Sequence, residues 1–145
     1  MYLLDTNIVS LLESPRQSDS PNLVAWLRRN GSQLCLSAIS LTEIEARILK
    51  LRRESKDKRA GELDAFREGR VKRFSGRIPS LDADLALRVA RVAERARPAT
   101  IELADLIVAA TADAHGLLVL TRNLRHFAPT DVAASDPTVA LPEEF

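Results

Sequence analysis

The sequence predicts an α/β fold, a short central parallel sheet flanked by helices on both faces. Two observations lead there. Three short apolar runs, Tyr2-Leu3-Leu4, Leu34-Cys35-Leu36 and Leu117-Leu118-Val119-Leu120, read as buried strands. Between them lie longer stretches whose apolar residues recur at helical spacing. At 145 residues the chain has the size of a single domain over 1–145.

The elements follow in order. The first strand stops at Asp5, and a short helix follows to about Glu13. Residues 14–21 are polar and carry Pro15 and Pro21, which makes them a loop. Leu23, Trp26 and Leu27 mark a helix that Asn30-Gly31 ends; they suit either the core or a dimer face. After the strand at Leu34, Ser40 opens a helix with Leu41, Ile44, Ile48 and Leu51 on one face. A charged helix covers about 57–74, and the break from Gly76 to Pro79 leaves room for a short strand at Ile78. Leu81, Leu85, Val89 and Val92 mark an amphipathic helix ending before Pro98, with Asp82 and Asp84 as caps. Leu103 to His115 is apolar on most sides, so it is predicted as a central buried helix, with Gly116 as its left-handed cap. Thr121 ends the clearest strand, and Val132-Ala133-Ala134 is read as an edge strand.

Composition excludes several classes. Hydrophobic residues make up 46% and charged residues 28%, nearly balanced in sign, as in an ordinary globular protein and not a disordered one. One cysteine, Cys35, rules out an intrachain disulfide and fits a reducing cytoplasm; it is read as a small core residue. Two histidines and one cysteine are too few for a structural zinc site, and His115 and His126 are read as structural or surface residues. No apolar run approaches the roughly 20 residues of a membrane helix, and the N-terminus lacks signal-peptide features, so the expectation is cytoplasmic, with no membrane partner. Net charge is +1, yet Arg47 to Arg77 holds twelve lysines and arginines against five acids. That block is either a solvated helix pair or a surface for a polyanion such as RNA.

Most acids belong to solvated faces, Asp113 among them, but four polar positions do not. Asp5 follows an apolar strand, where it could cap the next helix. Glu43 stands three residues after Ser40, the spacing of a capping box. Asp105 lies in the first turns of the most apolar helix, where a buried carboxylate needs a cation or strong donors. Asn123 follows Thr121-Arg122 at a strand end, in a turn or cap position. A parallel sheet brings strand ends and helix starts to one edge, and ligands bind there. Clustered carboxylates without His or Cys suit Mg²⁺ or Mn²⁺, which support phosphoryl chemistry.

Four blocks carry a resemblance over almost the whole chain. These are Leu3-Leu4-Asp5-Thr6-Asn7-Ile8-Val9-Ser10, Leu36-Ser37-Ala38-Ile39-Ser40-Leu41-Thr42-Glu43-Ile44, Leu103-Ala104-Asp105-Leu106-Ile107-Val108-Ala109-Ala110-Thr111-Ala112 and Leu120-Thr121-Arg122-Asn123-Leu124-Arg125-His126-Phe127. In this order and spacing they resemble the PIN-domain ribonuclease toxins of the VapC type, from type II (VapBC) toxin–antitoxin modules. The resemblance implies a PIN-like fold and divalent-cation-dependent endonucleolytic cleavage of RNA. It implies that Asp5, Glu43 and Asp105 are the main acids, with Asp5 and Asp105 on Mg²⁺ or Mn²⁺ and Glu43 ordering or deprotonating water. Thr121 matches a hydroxyl near the pocket. Position 123 is often Asp in the family and is Asn here, which keeps an oxygen donor but loses a charge. The family link further implies a homodimer and a cognate antitoxin that often inserts an arginine among the acids; DNA would be met only through that antitoxin. A catalytically weak PIN-like module that only binds RNA or protein is the alternative. Phosphotransfer on Asp5 is disfavoured, because that chemistry wants a second Asp where Asn7 stands.

Overall fold

The computed structural model describes residues 1–13 and 19–143. Four short strands form an all-parallel sheet in the order β2-β1-β3-β4: β1 (Tyr2–Leu4), β2 (Leu34–Leu36), β3 (Leu118–Leu120) and β4 (Ala134–Ser135). The helices are α1 (Thr6–Val9), α2 (Pro21–Arg29), α3 (Ala38–Arg53), α4 (Asp57–Arg73), α5 (Ala83–Ala96), α6 (Leu103–His115) and α7 (Leu124–Phe127). The α/β reading is borne out. Of the loop expected at 14–21, residues 14–18 lie outside the described residues, and Pro21 is already the first residue of α2.

Successive strand residues point to opposite faces, so each strand serves two cores. Tyr2, Leu4, Leu34, Leu36 and Leu120 join the cluster beneath α1 to α4. Leu3, Cys35 and Val119 join the cluster formed by α5, α6 and Phe127. This explains why β1, β2 and β3 are apolar throughout: both of their faces pack against a core. Leu23, Trp26 and Leu27 are core residues, and the Trp26 ring meets Tyr2 edge-on at 5.3 Å. Cys35 is buried as expected.

Several local expectations shift. The helix expected to open at Ser40 begins at Ala38, with Ser37 as its extended N-cap, and no capping box forms between Ser40 and Glu43. The helix after β1 keeps its α form only to Val9 and tightens to a 3₁₀ turn over Ser10–Leu12. No strand forms at Ile78; instead the Arg77 carbonyl accepts the Leu36 N–H at 2.9 Å and covers the edge of β2. The last strand lies at Ala134–Ser135, slightly later than Val132–Ala134. Gly116 caps α6 at φ 62°, ψ 38°, and Asp82 caps α5 by accepting from Leu85 N at 2.9 Å.

Asp113, read as facing solvent, does not, and Glu13 is buried as well. Glu13 is 3% exposed and pairs with Arg59 of α4 and Arg47 of α3, which pins the end of the first helical segment to that helix pair. Asp113 is half-buried between Arg88 and Arg95, at 2.9 and 3.3 Å. The Arg88 hydrogen bond, with Arg95 beside it, holds its carboxyl below the usual range. Among the described residues no helix is long and apolar enough to cross a membrane.

Ile48, fully buried on α3, anchors the α3–α4 pair to the sheet. Ile48→Ala is expected to lower the unfolding free energy by about 2–5 kcal/mol in urea denaturation, from lost transfer energy and the cavity left behind.

Candidate active site

The strand order sets the location. The chain leaves β1 to one side to form β2 and returns on the other side as β3. Between β1 and β3 the connections diverge, and a crevice opens at the carboxyl ends. Asp5 follows β1 and Thr121 follows β3, so both stand at that point.

Asp5 is 6% exposed, and its N–H continues the ladder to Leu120 O at 3.0 Å. Its Oδ1 accepts the Thr6 N–H at 2.9 Å, so it caps α1. Its Oδ2 accepts the Thr121 hydroxyl at 2.8 Å. That hydroxyl accepts the Asn123 N–H at 3.0 Å, which turns its proton toward Asp5. Asn7 ties the two segments together: Oδ1 accepts Arg122 N–H at 3.1 Å, and Nδ2 reaches Asp5 Oδ2 at 3.3 Å.

Glu43 comes up from the first turns of α3, one turn inside its start. Thr6 Oγ1 lies 2.9 Å from Glu43 Oε1 and 2.8 Å from Ser40 Oγ. With a single hydroxyl proton, Thr6 donates to the carboxylate and accepts from Ser40. The early start of α3 matters here, because it places Ser40 on the helix face that meets α1. Asp105, in the first turn of α6, accepts from His126 Nδ1 at 3.0 Å. A carboxylate only accepts, so Nδ1 carries the proton in this pair. Asn123 is exposed at the N-cap of α7, without a side-chain cap bond.

The three acids sense one another. Burial raises the Asp5 carboxyl above its ordinary value against the pull of Thr121 and Thr6, and the Asp105 charge adds to the rise. Burial likewise raises Glu43, and the charges of Asp5 and Asp105 add to it. Among the described residues no lysine or arginine pairs with Asp5 or Glu43. No three carboxylate, histidine or cysteine groups among them already meet as a metal cluster. The fold thus brings Asp5 and Thr121 into direct contact, joins Glu43 to Asp5's neighbour Thr6, and sets Asp105 within electrostatic reach of both. Asn123 stands at the rim. Sequence reasoning did not place Thr6, Asn7, Ser40 or His126 in the site. The first two follow Asp5 in the chain; His126 was read as structural or surface, and only the packing of α7 beside α6 sets it against Asp105.

A parallel sheet with an acidic crevice at its topological switch point is the architecture expected of the PIN fold. The chain belongs to the PIN-domain family, whose pattern matches residues 2–132. It is 33% identical over 140 residues to toxin FitB of Neisseria gonorrhoeae, covering 94% of this chain and 98% of FitB. The crystal structure of FitAcB from Neisseria gonorrhoeae superposes with a TM-score of 0.82 at 33% identity, over 94% of this chain and 98% of that one. A toxin–antitoxin complex from Klebsiella pneumoniae superposes with a TM-score of 0.61 at 26% identity, over 94% and 98%. The expected kinship with PIN-domain toxins of the VapC type is borne out.

The raised Glu43 carboxyl fixes a sign. The folded state binds its proton more tightly than the unfolded state does, so its ionisation weakens the fold as pH rises through the folded pKa. Glu43→Gln keeps an oxygen for Thr6 and removes the charge. Its urea midpoint is expected to exceed that of the parent at pH 7, with the gap closing on acidification toward the carboxyl range.

Proposed function

We propose that this chain is the toxin of a type II toxin–antitoxin module, a Mg²⁺- or Mn²⁺-dependent endoribonuclease neutralised by a cognate antitoxin. The observation that carries the reading is the gathering of Asp5, Glu43 and Asp105 at the switch point of a PIN-family sheet, where burial, with the neighbouring acids adding to it, raises the Asp5 and Glu43 carboxyls. The donor set fits a hard divalent cation: it is all oxygen, and a cation would relieve the cost of ionising Asp5 and Glu43. Asp5 and Asp105 would hold the ion. Bound there, it would offset charge developing on the phosphoryl oxygens and make water a stronger acid.

The chain's own groups supply the rest. Glu43, pushed up from the usual carboxylate value, is the better proton acceptor for it and takes the proton of the attacking water. The water oxygen bonds to phosphorus in line with the breaking P–O3′ bond. The 3′-oxygen leaves and takes a proton from solvent. Thr121 orients Asp5 and opposes the rise that burial imposes on its carboxyl. Asn123, at the rim, orients water or substrate through its amide; lacking a charge, it favours one ion over two. Cations of the α3–α4 pair steer the RNA backbone without reading its sequence.

Likeness to toxin FitB and to a toxin–antitoxin complex supports a protein partner. A guanidinium from that partner can take the place of the cation among the acids. Contact with DNA would then come only through the antitoxin, and the toxin would act as a homodimer.

Asp5→Asn is expected to lower RNA cleavage by at least about 100-fold, with the circular dichroism spectrum unchanged. EDTA should abolish cleavage by the parent chain, and Mn²⁺ should restore it. RNA binding without EDTA-sensitive cleavage would instead identify a catalytically weak binding module. Co-expression with the cognate antitoxin should suppress cleavage and yield a stable co-purifying complex.

A further inference from the structure

Part of the basic stretch from Arg47 to Arg77 is neutralised where α3 meets α4. Arg47, Arg52, Arg59 and Arg67 each pair with an acid. Arg70, Arg73 and Arg77, at the end of α4 and just beyond, have no carboxylate partner among the described residues. With Arg28 they line a cavity of about 190 Å³. Leu34 opens β2 and Gly31 precedes it, so this cavity lies toward the amino end of the sheet, away from Asp5.

The arginines are held in place. Arg77 donates Nε to Leu34 O and Nη2 to Arg73 O, each at 2.9 Å. Arg70 stacks over Phe66 at 5.1 Å, and its Nε is buried without a hydrogen-bond partner among the described residues. Burial and the charges of Arg73 and Arg28 hold its pKa below the usual arginine value. Arg73 lies across Gly31, where a β-carbon would fall 2.7 Å from Nη2; the absent side chain makes room for the guanidinium. Like charges gathered around a partly apolar hollow are costly unless an anion enters. Guanidinium groups offer paired planar donors that match phosphate oxygens. The cavity is smaller than those that enclose drug-sized ligands, which suits a phosphate group rather than a whole nucleotide.

The geometry points to a phosphate-binding pocket formed by Arg70, Arg73 and Arg77, separate from the acidic crevice. It stands independently of the nuclease reading. The phosphate belongs either to an RNA strand lying along α4 or to a small phosphorylated molecule.

Titration of the full chain with inorganic phosphate, followed by calorimetry in EDTA, tests it without any metal in the acidic crevice. Saturable binding at one site is expected. Arg73→Gln and Arg70→Gln should each weaken it at least about tenfold. Arg91→Gln, the same charge loss on α5, should leave it unchanged. Arg73 is exposed, so its variant keeps the test valid should Arg70→Gln fail to fold. Absence of saturable binding, or equal weakening by Arg91→Gln and Arg73→Gln, overturns the proposal. Displacement of phosphate by single-stranded RNA at lower concentration than by a ribonucleoside monophosphate assigns the site to RNA; the reverse order assigns it to a small molecule.

Discussion

Asp5 ends the central strand with a carboxylate that the fold buries and must then satisfy. A buried charge without partners costs several kcal/mol, so donors have to be brought to it from elsewhere in the chain. The Thr6 N–H, the Thr121 hydroxyl and the Asn7 amide do this. The same bonds join the start of α1 to the segment after β3. The register of β1 with β3 is therefore both a backbone ladder and the means of holding a carboxylate at the switch point. Thr6 extends the arrangement to α3 through Ser40 and Glu43.

Charge is segregated along the sheet. Acids that repel one another gather at its carboxyl end, with His126 against Asp105. Arg70, Arg73 and Arg77, without carboxylate partners among the described residues, gather toward its amino end. Between these extremes, α3 and α4 are tied by ion pairs whose members sit partly in water, and exposed pairs of this kind contribute little each. The Glu13 pairs are different, because that carboxylate is buried and would be stranded without Arg59. A net charge of +1 therefore conceals two concentrated and opposite fields.

Much of the fold was legible because both core layers demand apolar strands and long apolar helix faces. The strands at Tyr2, Leu34 and Leu118, and the α6 helix with its Gly116 cap, stand close to where patterning places them. What patterning missed has a physical source. Ser40 and Glu43 have capping-box spacing, but α3 starts at Ala38, with Ser37 in the N-cap position directly after β2 and making no side-chain cap bond; Ser40, one turn further on, meets Thr6 instead. Glu13 and Asp113 look solvated because a single sequence does not reveal which arginines fold over them. His126 looks peripheral because its partner lies on another helix.

The sequence by itself determined the alternation of strand and helix, the awkward acids Asp5, Glu43 and Asp105, and the family those acids announce. Tertiary structure alone decided which groups hold them: Thr121 on Asp5, Thr6 on Glu43 and His126 on Asp105. It alone separated neutralised arginines from those left facing a cavity. The reason is range. Periodicity and strand ends are local properties of the chain, whereas the partner of a buried charge is set by packing between segments far apart in sequence.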